Sequence, residues 1–320
     1  MNQLLLNFAF GALLVLVAAR FFLVAVQQLS VRLRVSPLIV GTVLMAIGAT
    51  LPEFSLTLSS LSNNDPGLAL GTTVGSVIVN LGLLFGLAVL FGKVRIGTHK
   101  TQFEGALIAI LAFLTSFVVL VPAVAAKQAS ILFLAWISAF AMLLILSWLG
   151  RNHEDVSVVR HLMQQLHKVD RWGLPLIIGV IAISALGLGG GSILVVQAAE
   201  GMSELFGIST TILGLTLTAL TTSLPELAIM FFSNRAKEDK TLVGALVGSS
   251  VLNLTLFPAI VAFRGQTVYL TASNLIWLVL VTALFSGTIF LHRGKVVSHR
   301  YGALLVLVWL GFLISTYLWR

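Results

Sequence analysis

Cysteine is absent from this 320-residue chain, and charged side chains make up only 9% of it. The first absence excludes disulfides and thiolate metal sites. The second excludes a water-soluble domain of this length, which needs far more charge to cover its surface than 58% hydrophobic composition leaves. A mean hydropathy of +1.06 agrees. Histidine is scarce as well: the six His, at 99, 153, 161, 167, 292 and 299, all fall outside the apolar stretches, which makes zinc, copper and nickel poor ligands for the interior. The net charge of +8 does not signal nucleic acid, because the basic residues lie between apolar runs rather than on one soluble face.

What remains is a set of long apolar runs. A bilayer core takes roughly 20 apolar residues per helix, and ten such runs lie near 4–27, 36–61, 67–91, 102–122, 128–149, 173–198, 207–233, 241–262, 267–291 and 300–319. The first exceeds a signal-peptide core and is expected to be a retained span. Basic residues alternate between the connections. Arg32, Arg34, Lys93, Arg95, Lys100, Arg151, Arg160, Lys168, Arg171, Arg235, Lys237, Lys240, Arg293, Lys295 and Arg300 follow odd-numbered runs; the other side has Lys127, Arg264 and Arg320, and Arg20 lies inside the first run. The positive-inside rule then places both termini outside and the 150–172 connection in the cytoplasm. Val156, Val159, Leu162, Met163, Leu166 and Val169 give that connection the pattern of an amphipathic surface helix.

Shifting the chain by 173 residues superimposes it on itself without gaps. Gly41, Leu51, Pro52 and Glu53 meet Gly214, Leu224, Pro225 and Glu226, while Gly71, Val74, Gly75, Ser76 and Asn80 meet Gly244, Val247, Gly248, Ser249 and Asn253. The repeat unit is five spans long, and an odd number of spans inserts the second copy upside down. The predicted fold is therefore an all-α membrane protein of ten transmembrane helices in two inverted five-helix repeats: 1–150, a linker at 151–172, and 173–320, with the repeated motifs at about 36–91 and 207–262. Inverted repeats are a mark of secondary transporters, whose sites lie at mid-membrane where the repeats meet.

Among eleven acidic residues only Glu53 and Glu226 fall well inside apolar runs. A carboxylate at that depth costs several kcal/mol unless it is paired or holds a cation, which makes both functional candidates. An ion pair with Arg20 is the structural alternative, but it serves one glutamate and not two symmetric ones. Pro52 and Pro225 each remove a backbone N–H next to the glutamate, freeing carbonyls in the turn before it. Thr50 and Ser223 lie three residues before the glutamates, and Ala46 and Ala219 seven before, on the same helical face. Ser76 with Asn80 and Ser249 with Asn253 add i, i+4 oxygens; ligation and interhelical hydrogen bonding are both natural for them. The Gly71/Gly75 and Gly244/Gly248 pairs suit close helix packing. Carboxylate, amide, hydroxyl and carbonyl oxygens favour hard cations such as Ca²⁺ and Na⁺.

The motifs Gly48-Ala49-Thr50-Leu51-Pro52-Glu53 with Gly75-Ser76-Val77-Ile78-Val79-Asn80, and Thr221-Thr222-Ser223-Leu224-Pro225-Glu226 with Gly248-Ser249-Ser250-Val251-Leu252-Asn253, resemble the paired alpha-repeats of the cation/calcium exchanger superfamily, in its sodium/calcium exchanger branch. The resemblance covers essentially the whole chain and is closest to the compact prokaryotic members. It implies a monomer in the cytoplasmic membrane that exchanges Ca²⁺ for Na⁺ by alternating access, gated by sliding of the first and sixth helices, with no resident cofactor, no enzymatic activity and no nucleic-acid partner. It also implies roles: Glu53 and Glu226 as carboxylate ligands of both ions, Thr50 and Ser223 as hydroxyl ligands of Na⁺, and Ala49 and Thr222 as carbonyl ligands of Ca²⁺. Ala46 and Ala219 become carbonyl ligands of Na⁺, with Ser76, Asn80, Ser249 and Asn253 completing the shell. Asn253 stands where some exchangers carry Asp, leaving two carboxylates in place of three. H⁺/Ca²⁺ antiport through the same carboxylates is the rival reading, and a channel a more distant one.

Overall fold

The computed structural model describes residues 2–32, 50–96, 99–121, 127–149, 172–227, 239–265 and 270–318. The amphipathic pattern at 156–169, the residues Gly41, Ala46, Gly48 and Ala49, and the basic residues of the 151–171 connection lie outside them. Among the described residues every regular element is helical, and the only extended pairing is an isolated antiparallel bridge between Arg95 and Val296.

The elements are α1 (Asn2–Arg32), α2 (Leu51–Ser62), α3 (Pro66–Ile78), α4 (Phe85–Phe91), α5 (His99–Leu120), α6 (Gln128–Leu149), α7 (Leu174–Phe206), α8 (Thr210–Leu213), α9 (Ala219–Thr222), α10 (Asp239–Val251), α11 (Phe257–Phe263), α12 (Ala272–Leu291) and α13 (His299–Leu318). Three π-helical turns join neighbours into longer rods: Val79–Leu84 between α3 and α4, Gly214–Thr218 between α8 and α9, and Leu252–Leu256 between α10 and α11. Among the described residues seven rods are long and apolar enough to cross a bilayer: Asn2–Phe22, Pro66–Phe91, Gln102–Leu120, Leu174–Phe206, Val243–Phe263, Ala272–Leu291 and His299–Leu318. Gln128–Leu143 is a shorter apolar helix. This is a multi-pass membrane protein.

Burial sorts the rods. In Pro66–Phe91 and Val243–Phe263, 78% of the most apolar window is covered by protein, against 22% in His299–Leu318 and 28% in Leu174–Phe206. The two covered rods form the centre; the others turn residues such as Phe10, Phe113, Leu186 and Leu307 outward, as lipid contact requires. Close approaches give the helix directions. In α1 and α7, Leu4 meets Gly201, Gly11 meets Gly191 and Ala18 meets Gly187, so the two run antiparallel. Gly71 and Gly75 of α3 seat against the backbone of Thr211, Gly214 and Leu215, so α3 runs parallel to the 210–222 segment. The tight packing expected of Gly71 and Gly75 is thus met by a backbone-to-backbone contact.

Helix ends follow local chemistry. Asp65 caps α3 by accepting the Leu68 N–H at 2.9 Å, with Pro66 just inside the helix. Gly207, at φ +62°, ends α7 in the left-handed conformation that favours glycine. Pro258 has no N–H to give the Leu254 carbonyl, and the Thr115 hydroxyl of α5 donates to that oxygen instead, at 2.8 Å, beside the π turn.

Candidate cation site

Thr50 (φ −91°, ψ 6°) and Ser223 (φ −80°, ψ 6°) both leave the helical conformation. A helix begins just after each, so Pro52 and Pro225 sit in a first turn, where a missing N–H costs nothing. Glu53 and Glu226 each occupy that first turn. Unpaired N–H groups and the helix dipole there favour negative charge.

Both glutamates are buried, at 0% and 1% exposure, and are near enough to repel each other electrostatically. Arg20 is exposed on α1, so it does not neutralise them. The Ser249 hydroxyl donates to Glu226 Oε1 at 2.9 Å, and Asn80 Nδ2 donates to Ser249 Oγ at 3.2 Å. Ser76 Oγ and Thr222 Oγ1 lie 3.3 Å apart beside the Glu53 carboxylate, though neither Glu53 oxygen has a partner in hydrogen-bonding geometry. The Asn80–Ser249 and Ser76–Thr222 contacts join the two sequence repeats, whereas Ser249–Glu226 lies within the second. The described residues hold no group of three or more His, Cys, Asp or Glu side chains.

Thr50, Glu53, Ser76, Asn80, Ala219, Thr222, Ser223, Glu226, Ser249 and Asn253 are all buried. Ala46 and Ala49 lie outside the described residues. Around the carboxylates, Glu53 Oε1 and Oε2, Glu226 Oε2, Asn80 Oδ1, Asn253 Oδ1 and Ser223 Oγ are buried without a hydrogen-bond partner. Desolvated oxygens of this kind cost several kcal/mol together unless a cation or water meets them. Asn80 and Asn253 each sit in a π turn, Val79–Leu84 and Leu252–Leu256, which start 173 residues apart as the motifs do. A π turn re-aims side chains within a helix and is frequent at functional sites.

Several interior hydroxyls were not picked out by sequence reasoning. Thr57 and Ser60, at i+4 and i+7 from Glu53, are fully buried, and both hydroxyls lack a partner. Thr72 and Thr218, four residues before Ser76 and Thr222, pair at 3.2 Å. The i±4 spacing from motif residues was the available signal. A narrow apolar crevice of about 10 Å³, room for one water, is lined by Ala12, Val15, Leu16, Leu56, Val195, Thr221 and Thr222, so it runs from the α1–α7 pair to the edge of the site.

A covered pair of rods carrying bare amide oxygens, with two buried carboxylates in the first turns of neighbouring helices, is the build of a membrane transporter. The family model for the sodium/calcium exchanger protein matches residues 3–148 and 176–318, and the chain belongs to that family. It is similar to the inner membrane protein YrbG of Escherichia coli (strain K12), 27% identical over 310 residues that cover 95% of this chain and 94% of the relative. It is also similar to the sodium/calcium exchanger MaX1 of Methanosarcina acetivorans, 23% identical over 341 residues and 95% of each chain. In fold it matches the solved sodium-calcium exchanger NCX_Mj soaked with Na⁺ and Sr²⁺, with a TM-score of 0.64, 18% identity, and 98% of this chain and 99% of the other covered. The family, MaX1 and NCX_Mj are sodium/calcium exchangers, which are transporters and not catalysts.

Proposed function

We propose that the protein is a secondary antiporter that exchanges Ca²⁺ for Na⁺ by alternating access, with the ions held mid-membrane between Glu53 and Glu226. The observation that carries the reading is the set of buried oxygens around the two carboxylates, most of them without a hydrogen-bond partner. Ca²⁺ takes roughly six to eight oxygens and Na⁺ fewer, so one oxygen-rich cavity serves both in turn. Thr50, Ser223, Ala49, Thr222, Ala46, Ala219, Ser76, Asn80, Ser249 and Asn253 complete the shell; the ions are cargo and the protein needs no resident cofactor.

The architecture that goes with this function is ten spans in two inverted halves, 1–150 and 173–320, joined by the 151–172 linker. Helix packing supports it: α1 lies antiparallel to α7, the first helices of the two halves, and the π turns recur at one offset. The Arg95–Val296 bridge gathers Lys93, Arg95, Arg293 and Lys295 at one end, consistent with a cytoplasmic face there and both termini outside. The crevice beside α1 and α7 supports sliding of that pair as the gate. The chain acts as a monomer, because both halves of the site lie within it.

The test is ⁴⁵Ca²⁺ uptake into Na⁺-loaded proteoliposomes with the pH gradient collapsed. Uptake is expected for the native chain and lost in Glu53→Gln and Glu226→Gln; retained uptake in either variant refutes the site. Two buried carboxylates close enough to repel each other, with no basic side chain beside them among the described residues, favour one second reading, H⁺/Ca²⁺ antiport, which predicts uptake only when a pH gradient is imposed.

A further inference from the structure

Each helix around Glu53 carries a threonine one turn further from the middle, toward the turn between Ser62 and Pro66. Thr57 follows Glu53 by four residues on α2, which runs toward that turn. Thr72 precedes Ser76 by four on α3, and Thr218 precedes Thr222 by four beside α9; both of these segments run away from it. Residues four apart share a helix face, so the three threonines form a tier stacked on Glu53, Ser76 and Thr222. All three are fully buried.

The Thr72 and Thr218 protons are committed. Thr72 Oγ1 has one proton and donates to the Leu68 carbonyl at 2.8 Å, the shorter of its two contacts; Thr218 Oγ1 donates to the Leu213 carbonyl at 2.8 Å, which the π turn leaves available. At 3.2 Å Thr72 Oγ1 also stands in donor geometry to Thr218 Oγ1, so neither hydroxyl has a proton left for a third group. Thr57 Oγ1 has no partner at all, and neither has Ser60 Oγ, a further turn along the same face of α2. A helical threonine normally returns its hydroxyl to the preceding turn, and two buried hydroxyls that do not are both available to a ligand. Thr72 and Thr218 can offer a third group only lone pairs, and the free Thr57 hydroxyl can rotate to present its oxygen as well, so the tier takes a cation. With no carboxylate in it, it suits a monovalent hard cation and not Ca²⁺, which needs more oxygens and more charge.

We infer that Thr57, Thr72 and Thr218 form a transient Na⁺ station one helical turn from Glu53, where Na⁺ exchanges hydration water for hydroxyl oxygens on its way between the site and the Ser62–Pro66 side. This rests on the antiport reading above. Thr57 aligns with Met230 in the second repeat, so the station belongs to one side only.

The experiment measures exchange in right-side-out and inside-out vesicles as a function of Na⁺ on each face, together with equilibrium ⁴⁵Ca²⁺ binding to purified protein. Thr57→Val should raise the Na⁺ concentration for half-maximal exchange about fivefold, the weight of one neutral oxygen contact. That shift should appear only when Na⁺ is applied from the Ser62–Pro66 side. Calcium binding should stay within twofold of the native value, and Thr57→Ser should restore the native Na⁺ dependence. Thr72→Val, with Thr72→Ser as its control, provides the same comparison if the first variant folds poorly. Native Na⁺ dependence in both valine variants, an equal effect from both faces, or failure of serine to restore overturns the station and leaves the antiport reading standing. Loss of Ca²⁺ binding in step with Na⁺ dependence also overturns it, by assigning the hydroxyl to the Glu53 site. Failure of the antiport reading itself shows separately, as uptake retained in Glu53→Gln.

Discussion

Two neighbouring glycines of α7 face opposite surroundings, and this gives a sharp test of the α1–α7 contact. A Cβ placed at Gly191 meets Val15 Cγ2 at 2.8 Å, the Gly11 carbonyl oxygen at 2.9 Å and Val15 N at 3.0 Å; one placed at Gly190 meets nothing within 4 Å. Two of the three atoms at Gly191 are backbone, so no rotamer change relieves them. Moving from 2.8 Å to an ordinary 3.4 Å contact separates the helices by ~0.6 Å, and overpacking of this kind costs ~1–3 kcal/mol. Gly190→Ala, by contrast, restores a helix-favouring residue at no steric cost and is worth up to ~1 kcal/mol on propensity measured in water. Gly191→Ala gains the same propensity, so the pair of variants should differ by the overpacking cost alone, ~1–3 kcal/mol. Thermal inactivation in detergent, followed by monodispersity on size exclusion, reads the difference: Gly191→Ala melts below the native protein and Gly190→Ala at or above it. If the α1–α7 pair slides during transport, Gly191→Ala also slows exchange at temperatures where it remains folded. Equal melting temperatures for the two variants would refute the antiparallel contact at Gly11 and Gly191.

Ser249→Ala leaves Asn80 Nδ2 without an acceptor and Glu226 Oε1 without a donor, and hydrogen bonds to charged groups are worth ~1.5–3 kcal/mol. Equilibrium ⁴⁵Ca²⁺ binding should weaken by about tenfold or more; unchanged affinity would place Ser249 outside the shell. Asp65→Ala removes both the α3 cap and the Thr210 contact at 3.0 Å, so it should lower thermal stability by ~1 kcal/mol and leave Ca²⁺ binding intact. Val297→Pro deletes the N–H that donates to the Val94 carbonyl at 2.8 Å and should loosen the clasp between the 92–96 and 292–298 turns, seen as faster proteolysis at that face.

Helix positions were legible because hydrocarbon demands long apolar runs, and α3 to α6 and α10 to α13 lie within a few residues of the runs read from hydropathy. The candidate residues were legible for a related reason: a glutamate in such a run is too costly to be incidental. Three things were not readable. The prolines announced a disturbance, but whether a proline kinks a helix or starts a new one depends on the residue before the motif leaving helical φ and ψ, as Thr50 and Ser223 do. The π turns at Asn80 and Asn253 have no common sequence cue; Pro258 adjoins the second, whereas its counterpart in the first is Phe85. The hydroxyls of Thr57, Thr72 and Thr218 look like any threonines in a membrane helix until burial and partners distinguish Thr57, which has none, from Thr282, which bonds back to Leu278.

The irregularities are not scattered through the bundle. The non-helical residues Thr50 and Ser223 and the π turns at Val79–Leu84, Gly214–Thr218 and Leu252–Leu256 all fall within a turn or two of Glu53 or Glu226, or of the asparagines beside them. The peripheral helices α5, α12 and α13 run unbroken for 20 residues or more. In hydrocarbon each departure from the α-helix exposes backbone groups that water cannot reach, so an irregular segment persists only where something else meets them. Thr115 and Thr218 meet some of these carbonyls within the protein. Both Glu53 oxygens, Glu226 Oε2 and the amide oxygens of Asn80 and Asn253 have no such internal partner. A chain that satisfied them all would be more stable and would hold no cation. Leaving them unsatisfied makes the empty interior costly and ties the stability of the centre to its cargo, so Ca²⁺ should raise the melting temperature of the native protein but not of Glu53→Gln.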